Sequence, residues 1–329
     1  MRSAMPGPRR TAALAGAVLA VAGVVAAAPA LAQGFPAKPV RVVIGAPPGG
    51  GTDILGRTIA PKLAEAIGQQ VVIDNRPGAA TNIGAELVAK APPDGHTLLM
   101  ASTPHVINAS LFPSLPFDPV KDFTPIMLMA TVQTVLIVHP AVPANSVKEL
   151  VALARAQPGK LTFGASNGTS QYLAVELFKV MAGVKIENVP YKGAALALND
   201  VLGGHIDGQV NTVISVLPFI KAGKLKALGM AGPKRATALP DVPTIGETLP
   251  GFESAGWYGL FGPAGVARDT VAKIHSAFVA ALGLPETRDR LAAQGVDVVA
   301  NAPDEFARFV RDQIPKWAKV VKASGAKAQ

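Results

Sequence analysis

The 329-residue chain contains no cysteine. No disulfide can staple the fold, no thiolate can act as nucleophile or metal ligand, and no lipidated cysteine can follow an export signal, so stability must come from a packed core. Aromatic residues make up 5% of the chain and seldom stand between its lysines and arginines. The formal charge of +9 is spread over single basic residues. A nucleic-acid partner is therefore not expected, and what remains is a mild attraction for anions. The five histidines, His96, His105, His139, His205 and His275, show no metal-ligand spacing. Asp118 and Asp122 flank prolines as turn residues do, and no carboxylate pair is placed for acid-base work. Neither a metal nor a cofactor is expected, and nothing in the sequence demands catalysis.

Long apolar runs are also scarce. The longest, residues 11–28, follows Arg2, Arg9 and Arg10 with no acid between them and ends in Ala30-Leu31-Ala32. That is the charged, apolar and small-residue order of a cleavable secretory peptide. Cleavage between Ala32 and Gln33 leaves 297 residues and a charge of +6, which work in the periplasm if the cell has an outer membrane. The Arg9-Arg10 pair leaves Sec and twin-arginine export both open. No later run is long enough to span a bilayer, so a protein not embedded in the membrane is expected, and a monomer.

From Val40 onward, short apolar runs alternate with longer amphipathic ones, the pattern of β-α-β units and mostly parallel sheets flanked by helices. Strands are predicted at 40–44, 71–74 and 97–101, with helices at 53–68 and 82–89. A Pro-rich connection, 113–125, leads into an apolar run at 127–138 that is long enough to pass between lobes. The alternation then restarts: helices at 147–156, 170–182, 194–202 and 216–222, strands at 160–164, 187–190, 208–213 and 226–230. Residues 254–263 read as a return crossing, with Trp257 and Tyr258 expected to pack a hinge, and three helices follow at 269–282, 285–294 and 303–324. The predicted organisation is two α/β lobes joined by two crossing segments: 33–131 and 255–329 in lobe 1, 132–254 in lobe 2.

Two segments carry chemistry. Pro47-Pro48-Gly49-Gly50-Gly51-Thr52-Asp53 lies between a strand and a helix, where glycines let backbone N–H groups approach a ligand and the helix start attracts an anion. A Walker loop would need Lys at Gly51, and a dinucleotide fingerprint would need Gly at Ile54. A plain turn capped by Thr52 or Asp53 fits the same residues. The second segment, Gly164-Ala165-Ser166-Asn167-Gly168, fits the nucleophile elbow of a serine hydrolase, with an acid at Asp200, Asp207 or Asp241 and a base at His275. His275, however, falls mid-helix among apolar neighbours. Tyr191-Lys192-Gly193 should open on the same edge as the glycine loops. Arg76, in Asn75-Arg76-Pro77-Gly78-Ala79, reads as a site residue or an exposed turn residue.

Taken in order, Pro47-Pro48-Gly49-Gly50-Gly51-Thr52-Asp53, Asp74-Asn75-Arg76-Pro77-Gly78-Ala79, Pro93-Asp94-Gly95-His96-Thr97-Leu98-Leu99, Leu115-Pro116-Phe117-Asp118-Pro119, Val189-Pro190-Tyr191-Lys192-Gly193, Leu239-Pro240-Asp241-Val242-Pro243-Thr244 and Gly262-Pro263-Ala264-Gly265 resemble the substrate-binding proteins of tripartite tricarboxylate transporters, the Bug family. The resemblance implies a two-lobed periplasmic solute-binding fold of the type II kind, which closes on a small organic carboxylate and passes it to membrane transporter subunits through transient contacts. It places one carboxylate between the loop Pro48, Gly49, Gly50, Gly51, Thr52, Asp53 and the facing loop Ser166, Asn167, Gly168, Thr169, Ser170. Ser102 and His105 would border the cleft. In one departure, the second loop is a residue shorter than the family pattern and Tyr172 stands where histidine is common. A secreted serine hydrolase and a binder serving a sensory receptor are the other readings.

Overall fold

The computed structural model describes Met1, residues 34–166 and residues 169–326. The export signal and its cleavage point lie outside the described residues apart from Met1, as do Asn167 and Gly168. By contacts the chain divides at Gly34, and Phe35–Gln329 forms one unit that holds both sheets.

The first lobe grows from β1 (Val40–Ile44), α1 (Gly51–Ile67), β2 (Val71–Asn75), α2 (Asn82–Ala89), β3 (Thr97–Ser102), α3 (Pro104–Leu111) and β4 (Phe123–Val132). Val40, Val42, Val43 and Ile44 are fully buried, as a strand covered on both faces requires. Leu55, Ile59 and Leu63 of α1 bury the matching stripe. The second lobe contains β5 (Thr134–Val138), α4 (Val147–Ala156), β6 (Thr162–Ala165), α5 (Ser170–Ala182), β7 (Glu187–Pro190), α6 (Ala194–Leu202), β8 (Gly208–Thr212), α7 (Val213–Lys221) and β9 (Lys226–Met230). The chain then returns as β10 (Gly256–Pro263), α8 (Arg268–Gly283), α9 (Pro285–Ala292), β11 (Val296–Val298) and α10 (Pro303–Ser324).

Strand order is β11-β4-β10-β3-β1-β2 in the first sheet and β7-β6-β8-β5-β9 in the second. The two-lobed α/β architecture is the expected one, but the pairing is mixed and not mostly parallel. β1 pairs parallel with β2 and β3, and β6 with β7 and β8. The crossing strands break this pattern. β10 is antiparallel to β3 and β4, and β5 is antiparallel to β8 and β9. A chain that leaves one sheet and re-enters it from the other lobe arrives running the opposite way, which periodicity does not reveal.

The predicted crossing at 127–138 is β4 and β5 in succession, broken at Gln133, whose N–H donates to Gly295 O and whose carbonyl accepts from Val213 N. The second crossing precedes β10. Thr134 Oγ1 donates to Ser254 O at 2.8 Å, so the two crossings are tied to each other. Three further differences have local causes. α3 was not among the predicted helices; its Pro104 stands at the first helical position, where proline is favourable. α7 starts at Val213 and not at 216, taking the last residue of a predicted strand. β11 has three residues, too few to show alternation.

Candidate functional site

A cavity of about 680 Å³ is lined by residues from both lobes. From the first come the loop before α1, residues 77–81 and Ser102-Thr103-Pro104. From the second come Ser166, Thr169-Ser170-Gln171, residues 191–195 and Asn211-Thr212. Val132 and Gly256-Trp257-Tyr258 lie at the crossings. The first residues of five helices, or their caps, therefore meet here: α1, α3, α5, α6 and α7. Each presents first-turn N–H groups without intrahelical acceptors. Four of the five, α1, α3, α6 and α7, have no side-chain hydrogen bond at the N-cap. Among the described lining residues Lys192 is the sole charged one. Helix ends and one lysine give the space a positive character with no carboxylate to oppose it.

The α1 entry is shaped by Asp53. Its N-cap is Gly50, so Thr52 and Asp53 are not the capping residues. The Asp53 carboxylate folds back to accept the Gly49 N–H at 2.9 Å and the Arg57 Nε–H at 2.9 Å. Burial raises its pKa, but the hydrogen bonds from Arg57, Gly49 and Asn75 and the charge of Arg57 outweigh burial, so it sits below the usual value. Asp53 and Gly49 fasten the loop to each other, Pro48 is not among the lining residues, and Gly50, Gly51 and Thr52 line the cavity. A Cβ on Gly51 would meet the Tyr258 hydroxyl, and would lie 2.8 Å from Thr212 Oγ1. Glycine is needed at Gly51 for that close approach.

The facing loop is built differently. Thr169 caps α5: its hydroxyl accepts the Tyr172 N–H at 3.2 Å and donates to Ser166 O at 2.6 Å. Ser166, Thr169 and Ser170 line the cavity, with Tyr191 and Lys192 beside them. Tyr191 donates to Asp200 Oδ2 at 2.5 Å. Burial and that carboxylate push its pKa up to about 12.

Residues 79–81 form a wall that sequence reasoning missed. Ala79, Ala80 and Thr81 all have positive φ, 45°, 53° and 79°, a conformation that costs an L-residue roughly 1–2 kcal/mol each. The turn is clamped from below. Fully buried Asn108 donates to Ala80 O at 2.8 Å and to Asn82 Oδ1 at 2.7 Å. At Gly45 a Cβ would come within 2.6 Å of Thr81 O. Strain of this kind persists where the surroundings over-determine it. The readable signals were Gly78 and two asparagines in otherwise apolar helices.

Other sequence candidates fall elsewhere. Ser102 lines the cavity, but His105 is 3% exposed and packs against Phe117, Phe123 and Phe261 with its Nε2 2.9 Å from Pro119 O. Arg76 pairs with Asp74 and is not among the lining residues. His275 bonds to Asn301 O, and among the described lining residues beside Ser166 there is no histidine. Trp257 and Tyr258, expected to pack a hinge, also form part of the cavity wall, as do Asn211 and Thr212, which drew no attention in sequence because buried strand ends read as core.

Known proteins share this fold. Residues 55–326 match the family described as Tripartite tricarboxylate transporter family receptor. Protein BugT of Bordetella pertussis is 35% identical over 97% of this chain and 98% of that protein. Among solved structures, R. palustris Rpa4515 with adipate is 35% identical with a TM-score of 0.86, covering 89% of this chain and 99% of its own. MatC (Rpa3494) from Rhodopseudomonas palustris with bound malate is 33% identical with a TM-score of 0.83, covering 87% of this chain and 100% of its own. The match spans most of the chain and both lobes of the fold, so this protein belongs to the tripartite tricarboxylate transporter family of receptors, a family of Bug-type solute-binding proteins.

Proposed function

We propose that the protein is a periplasmic carrier that captures a small organic carboxylate between its lobes and delivers it, closed, to a membrane transporter of the tripartite tricarboxylate type. The observation that carries this reading is the convergence of helix N-termini from both lobes on one cavity whose described lining residues include no acidic side chain. An anion entering there bridges Gly50, Gly51 and Thr52 on one side and the loop 166–170 on the other. It thereby favours the closed arrangement of the lobes over the open one. Relatives solved with adipate and with malate support a carboxylate as the solute. Export through the signal at 1–32 places the carrier where that solute arrives.

The hydrolase reading has less support, because the Ser166 side of the cavity has no histidine to act as base. The test is a thermal-shift screen of organic acids, in which a ligand of the folded state raises the melting temperature. The best acid is then titrated calorimetrically into Thr52→Val. Loss of about 1.5–3 kcal/mol of binding is expected, the scale of a hydrogen bond to a charged group. Unchanged affinity would remove Thr52 from the site, and covalent labelling of Ser166 by a fluorophosphonate would revive the hydrolase.

A further inference from the structure

Where the loop before α1 meets the second lobe, side chains are missing. At Gly193, the residue before α6, φ is 173° and ψ is 153°, extended backbone that any residue adopts. Its lack of a side chain therefore answers to space and not to conformation. A Cβ there would lie 2.6 Å from Cγ and 3.1 Å from Cδ of Pro47, well inside the roughly 3.5–4.0 Å at which carbon atoms pack. Gly193 is buried although Lys192 before it is exposed, because the Pro47 ring covers it. Gly51 shows the same pattern: a Cβ would lie 2.8 Å from Thr212 Oγ1 and 3.2 Å from Cγ2 of Ile214, at the start of α7. Gly49 faces Ala195 of α6 at an ordinary contact distance of 3.8 Å.

Pro47 is poorly able to yield. A prolyl ring has no rotamer to swing aside, and the loop is fastened on both sides of it. Asn75 Nδ2 donates to Ala46 O at 3.0 Å, and the Gly49 N–H donates to Asp53 at 2.9 Å. Arg57 joins the two fastenings, donating to Asp53 Oδ1 and to Asn75 Oδ1, each at 2.9 Å. The α1 entry is thus a rigid edge, and what it meets on the other lobe limits how closely the two can approach. Building on the reading of capture by lobe closure, we propose that the seat of the Pro47 ring on Gly193 is the stop that defines the closed position of the lobes. Glycine at 193 lets closure proceed until the loops of both lobes reach one solute. Gly193 is a positioning residue: it sets the distance between the two halves of the site, and a side chain there holds the lobes apart and the solute loosely.

The chain has no cysteine, so spin labels can be directed to Val72→Cys of β2 and Glu187→Cys of β7, exposed residues on the outer strands of the two sheets. Pulsed dipolar EPR measures their separation and calorimetry the affinity, with adipate and with malate, the acids held by two related proteins. In the parent protein, an acid that binds should gather the distances at the short separation of closed lobes. Gly193→Ala should lose that short population and bind the acid about tenfold more weakly, with folding of each variant checked by its melting curve. Adding Pro47→Ala to Gly193→Ala takes away Cγ and Cδ and keeps Cβ, 3.6 Å from the same point. The double variant should regain the short population and most of the affinity. A folded Gly193→Ala that closes and binds like the parent overturns the proposal, as does a loss that Pro47→Ala fails to repair, which would assign Gly193 to the solute or to the fold. A parent protein that closes on neither acid would be a different result, one that defeats the reading of capture by closure itself and this inference with it.

Discussion

Thr169 uses one hydroxyl for two contacts, accepting from Tyr172 N and donating to Ser166 O. Its single proton is committed to Ser166, so its part is to hold Ser166 against the start of α5. Thr169→Val is therefore expected to lower stability by about 1 kcal/mol, the usual cost of losing an N-cap, and to weaken ligand binding through the misplaced loop. Thr169→Ser should restore both. Denaturant melts and calorimetry on the two variants check this, and a valine variant that binds weakly with undiminished stability would contradict the capping role. The sequence displayed the hydroxyl but not its partners, because a cap and a ligand contact look alike until the helix start is placed.

At the scale of elements, the site depends on how glycine and asparagine hold two entries open. The α1 entry was legible: a run of glycines after an apolar strand announces a close backbone approach, and Gly51 makes one against Tyr258 and Thr212. The turn Ala79–Thr81 was not, because left-handed backbone in Ala-Ala-Thr contradicts the preferences of the residues themselves and is imposed by tertiary contacts. Asn108 is the central contact. Asn108→Ala removes the donor to Ala80 O and strands Asn82 Oδ1 in the core, an expected loss of about 1–3 kcal/mol for each buried group left unsatisfied. Chemical denaturation measures that loss, and ligand affinity should fall with it as the turn relaxes. If Asn108→Ala melted like the parent protein, the turn would owe its shape to something else. The helices α2, α4, α5, α6 and α10 fell where periodicity put them, since each buries one apolar stripe. Strand direction lay beyond periodicity, because an alternating strand reads the same up or down.

For the whole molecule, stability carries a pH signature from the aromatic core beneath the cavity. Burial lowers the pKa of His105 to about 4 from a normal 6.5, against a smaller opposing effect of the hydrogen bond to Pro119. The native ring stays neutral where the unfolded chain takes up a proton. The contribution is thus fully present above about pH 6.5 and is lost as pH falls toward 4, to an extent on the order of 3 kcal/mol. Asp53, Asp74 and Asp94 have lowered pKa values, each because hydrogen bonds and opposite charges outweigh the raising effect of burial. Their contribution disappears below the ordinary carboxylate range. Denaturant melts from pH 7 to 4.5 should show the fall, and His105→Gln, which keeps a donor for Pro119 O, should flatten it. A slope identical in both proteins would exclude His105 as its source.

The uncapped helix starts around the cavity have one more consequence, concerning how such a carrier changes its cargo over generations. No point substitution short of proline can delete a backbone N–H, so the positive character of the cavity wall persists under almost any substitution in those helix starts. Thr52, Gln171 and Lys192 line the same cavity with side chains that a single substitution replaces. The fold thus keeps a backbone character of the cavity that substitution cannot erase apart from a side-chain lining that it can.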